Sequence, residues 1–173
     1  MIEKKEIETI FSEELKWIQD KNLIEQVINV WAEAAKRGKW VSINDVPFTL
    51  LFENSGRLVN HTKRVTKLAK SVFDNRDEKL NLDFLIAGAL LHDVGKLLEY
   101  EKKDKKYFKG EFGKRFRHPV AGALLAKEID LPDEVVLIIY AHSHEGDNLN
   151  RSPEAIIVNH CDFIDFEIKK TLL

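Results

Sequence analysis

Apolar residues recur at steps of three and four along most of the chain. Between residues 4 and 19, Ile7, Ile10, Phe11, Leu15 and Ile18 fall at these steps, which gather side chains on one face of a helix. A second run starts near Asn22, passes through Leu23, Val27, Val30, Trp31 and Ala34, and stops at Gly38, where a left-handed cap costs little. Together they predict a helical hairpin. Trp40 to Pro47 reads as a connector. From about Arg57 a third helix is expected, with Leu58, His61, Val65, Leu68, Ala69 and Val72 at helical steps, so that His61 sits on its buried stripe. Asn81 and Asp83 offer N-caps for the run Phe84 to Val94, which is apolar almost throughout and ends at Gly95. A helix that is apolar all round belongs at the centre of a core.

The stretch Glu101 to Arg117 breaks the pattern and predicts a loop or hairpin. It holds two glycines, four aromatics, and eight basic against three acidic residues. Helical signals resume with Pro119 to Ile129, continue with Pro132 in a first turn before Val135 to Ala141, and end with Ser152 capping a helix that starts at Pro153. No repeat, low-complexity segment or alternating run long enough for a core strand interrupts them. The expected class is all-α, with residues 1–50 an N-terminal helical extension packed on a domain spanning 51–173.

At 173 residues the chain can bury a sizeable core without staples. Its one cysteine, Cys161, cannot pair within the chain, no secretory signal pattern opens the sequence, and a reduced, cytoplasmic protein is expected. The longest apolar stretches are far shorter than the roughly 20 residues needed to span a bilayer, so no membrane span is expected. With 27 basic and 29 acidic residues, the overall charge marks neither a nucleic-acid polymer nor an acidic surface as partner.

Of six histidines, four stand at helix ends or on apolar faces: His61, His92, His118 and His142. Burying an imidazole leaves ring nitrogens to satisfy, and four such burials accompanied by carboxylates point to a shared purpose. His92 and Asp93 are adjacent where the apolar helix ends, about a quarter-turn apart, and can meet an ion from one corner. Gly95 beside them permits close backbone approach.

These residues resemble the HD superfamily of metal-dependent phosphohydrolases, whose pattern is a histidine, an adjacent His-Asp, and a distant aspartate on a late helix. The match runs through His61 in Asn60-His61-Thr62-Lys63-Arg64-Val65, the pair in His92-Asp93-Val94-Gly95-Lys96, and Asp162 in Ile157-Val158-Asn159-His160-Cys161-Asp162-Phe163-Ile164-Asp165. It covers roughly residues 57 to 166. Many members hold two metals and add two histidines, which map to His118 and His142. The resemblance implies an HD-type helical bundle, metal ligands His61, His92, Asp93, His118, His142 and Asp162, and one or two divalent ions. Nitrogen and oxygen donors suit Mn, Fe, Ni, Zn or, less well, Mg. With two ions Asp93 would bridge them, and a shared water would be the nucleophile.

The resemblance also implies hydrolysis of a phosphate ester or anhydride of a nucleotide or other small phosphorylated metabolite. Asp93, Lys96 and His144 are the expected catalytic residues, His144 as proton donor to the leaving group. Lys96, Arg64, Lys114 and Arg115 are expected to bind substrate, with Lys109 and Arg117 of the same basic segment as further members of a phosphate-facing wall. His144 and Glu145 resemble a pair in the HD-GYP branch, but the Gly-Tyr-Pro naming that branch is absent, which speaks against cyclic di-GMP. Two other readings stay open: a diiron oxygenase, and a nucleotide-sensing module without turnover. A homodimer is compatible with the N-terminal hairpin packing on a second subunit.

Overall fold

The computed structural model describes residues 2–172. Helices build it: α1 (Lys4–Ile10), α2 (Lys21–Arg37), α3 (Leu58–Asp74), α4 (Leu82–Leu91) and α5 (Lys96–Glu99) come first. An antiparallel hairpin of β1 (Tyr100–Lys103) and β2 (Lys106–Lys109) follows, then α6 (Glu111–Arg115), α7 (His118–Glu128), α8 (Asp133–Ala141) and α9 (Pro153–Thr171). The class is all-α. The segment expected to be a loop or hairpin is a hairpin followed by one short helix.

Helix α4 is the axis of the fold. Leu85 to Leu91 are all buried, and the helix packs against α2, α3, α8 and α9 at once. Its position follows from its sequence, since a helix apolar on every side is stable only when other helices cover every side. The carboxyl end of this central helix is therefore the deepest place from which a polar side chain can be presented. His92 and Asp93 occupy it.

The N-terminal hairpin adds to the same core. Trp31 donates its indole N–H to the Leu90 carbonyl at 3.1 Å, and Trp40 donates to the Leu97 carbonyl at 2.8 Å, so two large rings bury their apolar bodies without orphaning a donor. Helix α1 is shorter than the apolar steps suggest. It stops at Ile10 and gives way to a 3-10 turn at Leu15–Trp17, although Ile7, Phe11, Leu15 and Ile18 are all buried. The spacing correctly puts these four on one face, but a helix followed by a tight turn satisfies it as well as an unbroken helix does. Past that turn the chain is held by Asp83, whose carboxylate accepts from the backbone N–H groups of Gln19 and Asp20, each at 2.9 Å. Asp83 is thus a tie between the hairpin and the core rather than a cap; Asn81 caps α4 by accepting from Phe84 N–H at 3.1 Å.

Two further boundaries differ in detail. Gly38 follows α2 in right-handed geometry (φ −75°), and the left-handed residue is Lys39 (φ 58°). Gly38 is needed for close approach, because a Cβ there would lie 2.0 Å from the Leu97 carbonyl oxygen. Pro132 precedes α8 as its N-cap residue (φ −52°, ψ 141°) instead of lying in its first turn, while Ser152 caps α9 as expected, accepting from Ala155 N–H at 3.2 Å. No helix among the described residues is long and apolar enough to cross a membrane.

Candidate metal centre

Four helix ends and two helix faces converge at the carboxyl end of α4. His92 follows the last residue of α4, Asp93 lies in the turn that links α4 to α5, His118 is the first residue of α7, and His142 is the C-cap of α8. His61 comes from the first turns of α3, and Asp162 from the middle of α9. All six residues predicted as metal ligands meet here, although Asp162 lies 101 positions beyond His61 in sequence.

They form two groups that share one residue. His61, His92, Asp93 and Asp162 each offer a ligand atom within 4.8 Å of the others, and so do Asp93, His118 and His142. Asp93 divides its oxygens between them. Its Oδ2 lies 3.3 Å from His61 Nε2 and 3.4 Å from His92 Nε2, and its Oδ1 lies 3.2 Å from His118 Nε2 and 3.6 Å from His142 Nε2. Asp162 Oδ1 completes the first group at 3.1 Å from His61 Nε2.

Each of the four rings turns Nδ1 away from the centre towards an acceptor. His61 Nδ1 meets Asp165 Oδ2 at 2.6 Å, His92 Nδ1 the Ala89 carbonyl at 2.7 Å, His118 Nδ1 Glu99 Oε2 at 2.9 Å, and His142 Nδ1 the Ile139 carbonyl at 2.6 Å. A carboxylate or carbonyl there accepts a hydrogen bond from Nδ1–H and leaves Nε2 directed inward, which is how metal-binding imidazoles are oriented. The two carbonyl partners are local, three residues upstream at the end of the same helix. The two carboxylates had no assigned role in the sequence reading. Glu99 also accepts from the backbone N–H of His118 at 2.6 Å, placing negative charge at the start of α7.

The charges explain what the cluster needs. Burial opposes a positive His61 ring, but bonds to Asp162, Asp165 and Asp93 outweigh it and raise the pKa to about 9. Around His118 burial prevails against Asp93 and Glu99 and brings the pKa down to about 4, so this ring is neutral at pH 7 with its lone pair available. Burial works against the Asp93 carboxylate, yet Lys96, His92 and His118 hold it well below the usual carboxylate range. Glu99 is drawn down to about 2, burial being outweighed by His118 and Lys109. Of the buried side-chain atoms without a hydrogen-bond partner among the described residues, two belong to the cluster, Asp93 Oδ1 and His142 Nε2. Leaving such an atom unmet costs about 1–3 kcal/mol, a cost that an ion held between these two would remove. Nitrogen and oxygen donors, a shared carboxylate and two orphaned atoms fit divalent cations.

Other predicted site residues divide. Lys96 is buried beside the cluster, its Nζ 2.5 Å from Asp93 Oδ2 and 4.8 Å from the centre of the Phe48 ring. Against the cluster lies a cavity of about 270 Å³ whose wall includes Lys96, Lys109, Arg117 and His144. Lys114 and Arg115 are not in that wall. They lie on the outer side of α6, where Lys114 pairs with Glu111 and both are exposed. Nor does Arg64 reach the cavity, because it forms a bidentate pair with Asp165, Nε to Oδ1 at 2.5 Å and Nη2 to Oδ2 at 2.9 Å. Its place is behind His61, holding the carboxylate that orients the ring.

Three other contributors escaped the sequence reading. Phe48 stacks on His61 with centroids 3.8 Å apart. Asn159 donates to the His142 carbonyl at 2.7 Å, and Arg151 donates to the carbonyls of Ala141 and Ser143, so the carboxyl end of α8 is satisfied while His142 faces the cluster. Asp165 carried a usable signal, since it is three residues after Asp162 and shares its helical face.

A bundle built around a His/Asp cluster of this form defines a class, and comparison with known proteins gives it a name. The HD domain family model matches residues 58–166, and the chain belongs to the HD domain family. It is 32% identical over 137 residues to the dihydroneopterin 2′,3′-cyclic phosphate phosphodiesterase of Methanocaldococcus jannaschii, a match covering 74% of this chain. The chain spans 54% of that relative's length. No solved structure matches it.

The position of Glu99 leads to a specific expectation. Glu99→Gln should weaken ion binding at the His118 and His142 position about 10–100-fold, the usual effect of losing an outer partner, while leaving the His61 position near its native affinity. Metal titration by calorimetry checks this. Equal weakening at both positions would mean that Glu99 supports the fold and not the His118 ring.

Proposed function

We propose that this chain hydrolyses a phosphate ester of a small metabolite with one or two divalent ions as cofactor. The observation that carries the reading is the shared carboxylate: Asp93 offers one oxygen to each ligand group, and the oxygen facing His118 and His142 is buried without a partner. His61, His92, Asp93 and Asp162 would hold one ion; Asp93, His118 and His142 would hold the other. Mn, Fe, Ni and Zn suit these donors best, and Mg less well. Ions held there would supply Lewis acidity to a phosphoryl oxygen and make water a better nucleophile at neutral pH.

The chain's own side chains contribute the rest. Burial alone would discharge Lys96, but Asp93, Tyr100 and Asp162 outweigh it and keep the ammonium charged where a phosphoryl oxygen would lie. Lys109 and Arg117 enter from the rim, paired with Glu99 at 2.7 Å and Glu145 at 2.8 Å, and a phosphate would compete with those partners for them. His144 has Nδ1 on Asp147 Oδ2 at 3.1 Å, which leaves Nε2 to serve a leaving oxygen at the cavity mouth. The apolar wall of Phe48, Leu50, Leu51, Phe163 and Phe166 suits a flat organic group, and a cavity of about 270 Å³ sets its size at one such group. A nucleotide or a pterin meets that description. The cyclic phosphate in the name of the Methanocaldococcus relative supports a cyclic phosphodiester as the first compound to try.

Turnover should be measured against nucleoside 2′,3′-cyclic phosphates, nucleoside monophosphates and dihydroneopterin 2′,3′-cyclic phosphate, without oxygen, with each divalent ion and with chelator. The expected result is hydrolysis of at least one ester, abolished by chelator and restored by Mn or another ion. Ion binding without any turnover would leave a sensing module. Activity that required both iron and dioxygen would point to the oxygenase.

A further inference from the structure

The β1–β2 hairpin carries a concentration of charge that the centre does not use. Its register places Lys103 directly opposite Lys106 and Glu101 opposite Phe108, so these four share one face, and Lys105 lies in the turn between the strands. Lys103, Lys105 and Lys106 are exposed, and no ion pair engages them among the described residues. Like charges directly across an antiparallel pair destabilise it. The hairpin therefore bears a local cost that two neutral residues would remove, and a partner that neutralises the charge would offset it.

The opposite face is already satisfied. Lys102 lies over Tyr107, and Tyr107 stacks on Trp40 with centroids 6.2 Å apart, which fastens the hairpin to the connector after α2. The outer face keeps Phe108 40% exposed among the lysines. Phe112 and Phe116 of the following segment, paired at 5.2 Å, are 44% and 40% exposed beside Arg115, which no ion pair engages among the described residues. Rings interleaved with cations suit successive bases and phosphates of a single strand. An anionic membrane would call for a continuous apolar face, whereas β1 is exposed and charged from Glu101 to Lys103. The segment also starts and ends at the cavity: Glu99 and Tyr100 before it, and Lys109, Arg117 and His118 towards its end, all line that wall.

We infer that this basic, aromatic arm docks single-stranded nucleic acid, so that the chain acts on the phosphorylated end of a short oligonucleotide as well as on a mononucleotide. The inference rests on the phosphohydrolase reading for its chemistry, but not for its binding surface. The terminal residue would occupy the cavity and the preceding phosphates would lie along Lys103, Lys105 and Lys106. Near-neutral overall charge is no obstacle, because the local excess lies next to the site.

The test compares a labelled single-stranded RNA hexamer ending in a 2′,3′-cyclic phosphate with the matching mononucleoside cyclic phosphate, for both binding and hydrolysis. The hexamer should bind about tenfold more tightly. If it contacts three phosphates, it should lose about 20-fold in affinity between about 50 and 200 mM salt. The variant with Lys103→Ala, Lys105→Ala and Lys106→Ala should lose that advantage and its salt dependence, with mononucleotide hydrolysis unchanged; Phe108→Ala should lose part of it. A hexamer bound no better than the mononucleotide would overturn the inference, as would a triple variant that weakens both ligands equally. Retention of the arm's lysine-dependent binding by anionic vesicles but not by RNA would also overturn it. If neither compound is hydrolysed but the hexamer still binds through the lysines, the docking surface stands and hydrolysis of nucleotide ends fails, while the phosphohydrolase reading is decided separately by the wider ester panel.

Discussion

Replacing Asp93 with asparagine should abolish ion binding at both positions and reduce phosphoester hydrolysis by roughly a thousandfold or more, beyond the ~10–100-fold typical of outer partners. The reason is geometric, since one side chain serves both ligand groups, with Oδ2 towards His61 and His92 and Oδ1 towards His118 and His142. The same change strands the buried Lys96 ammonium, whose carboxylate partner is Asp93. Breaking a buried pair by removing one member costs about 3–5 kcal/mol, so Asp93→Asn should also lower stability. A second variant separates the effects. Asp93→Asn combined with Lys96→Met removes the stranded charge and should regain much of the stability, yet recover neither ions nor activity. If the double variant binds two ions with native affinity, Asp93 is not the shared ligand.

Gly95→Ala is the substitution with the largest expected effect on the architecture of the site. The backbone of Gly95 is right-handed (φ −62°), so alanine is acceptable there conformationally and the conflict is purely steric. An added Cβ would lie 2.1 Å from the His118 carbonyl oxygen and 2.7 Å from Gly122 N, both backbone atoms of α7. No rotamer change relieves such an overlap. Helix α7 must move, and it carries His118. Overpacking of this kind costs about 3 kcal/mol, which for a chain of this size lowers Tm by about 10 °C, and ion affinity at the His118 position should fall with it. Gly88→Ala is the control. There a Cβ meets only the Ile138 side chain, at 2.5 Å and one turn before His92 and His142, and no backbone of α7, so stability should drop while both ion positions keep their affinity. Loss of ion binding in Gly88→Ala, or its retention in Gly95→Ala, would separate the packing of α7 from the geometry of the centre.

The long helices were legible because each has one strong local signal. Helix α4 announces itself by being apolar on every side, α9 by Ser152 and Pro153 at its start, and α3 by a stripe that includes His61. The order of His61, His92, Asp93, His118, His142 and Asp162 was likewise readable, and the fold brings those six together. Partners that depend on tertiary structure were not readable. Glu99 faces His118 across a hairpin and a short helix, and Arg64 pairs with a carboxylate 101 residues away, neither of which periodicity encodes. A surface arginine and one holding Asp165 look identical in sequence. The basic segment shows the same limit from the other side: composition marked Lys109, Lys114, Arg115 and Arg117 together, but only the pairing of β2 and the turn of α6 decide that Lys109 and Arg117 face the cavity while Lys114 and Arg115 face outward.

Whether one carboxylate organises two ion positions is answered by anomalous diffraction from crystals equilibrated with Mn. Two anomalous peaks roughly 3.5–4 Å apart are expected. One should be bounded by His61, His92 and Asp162, the other by His118 and His142, with Asp93 between them. Peaks that lie elsewhere, or a fully occupied site in which Asp93 touches no ion, would contradict it.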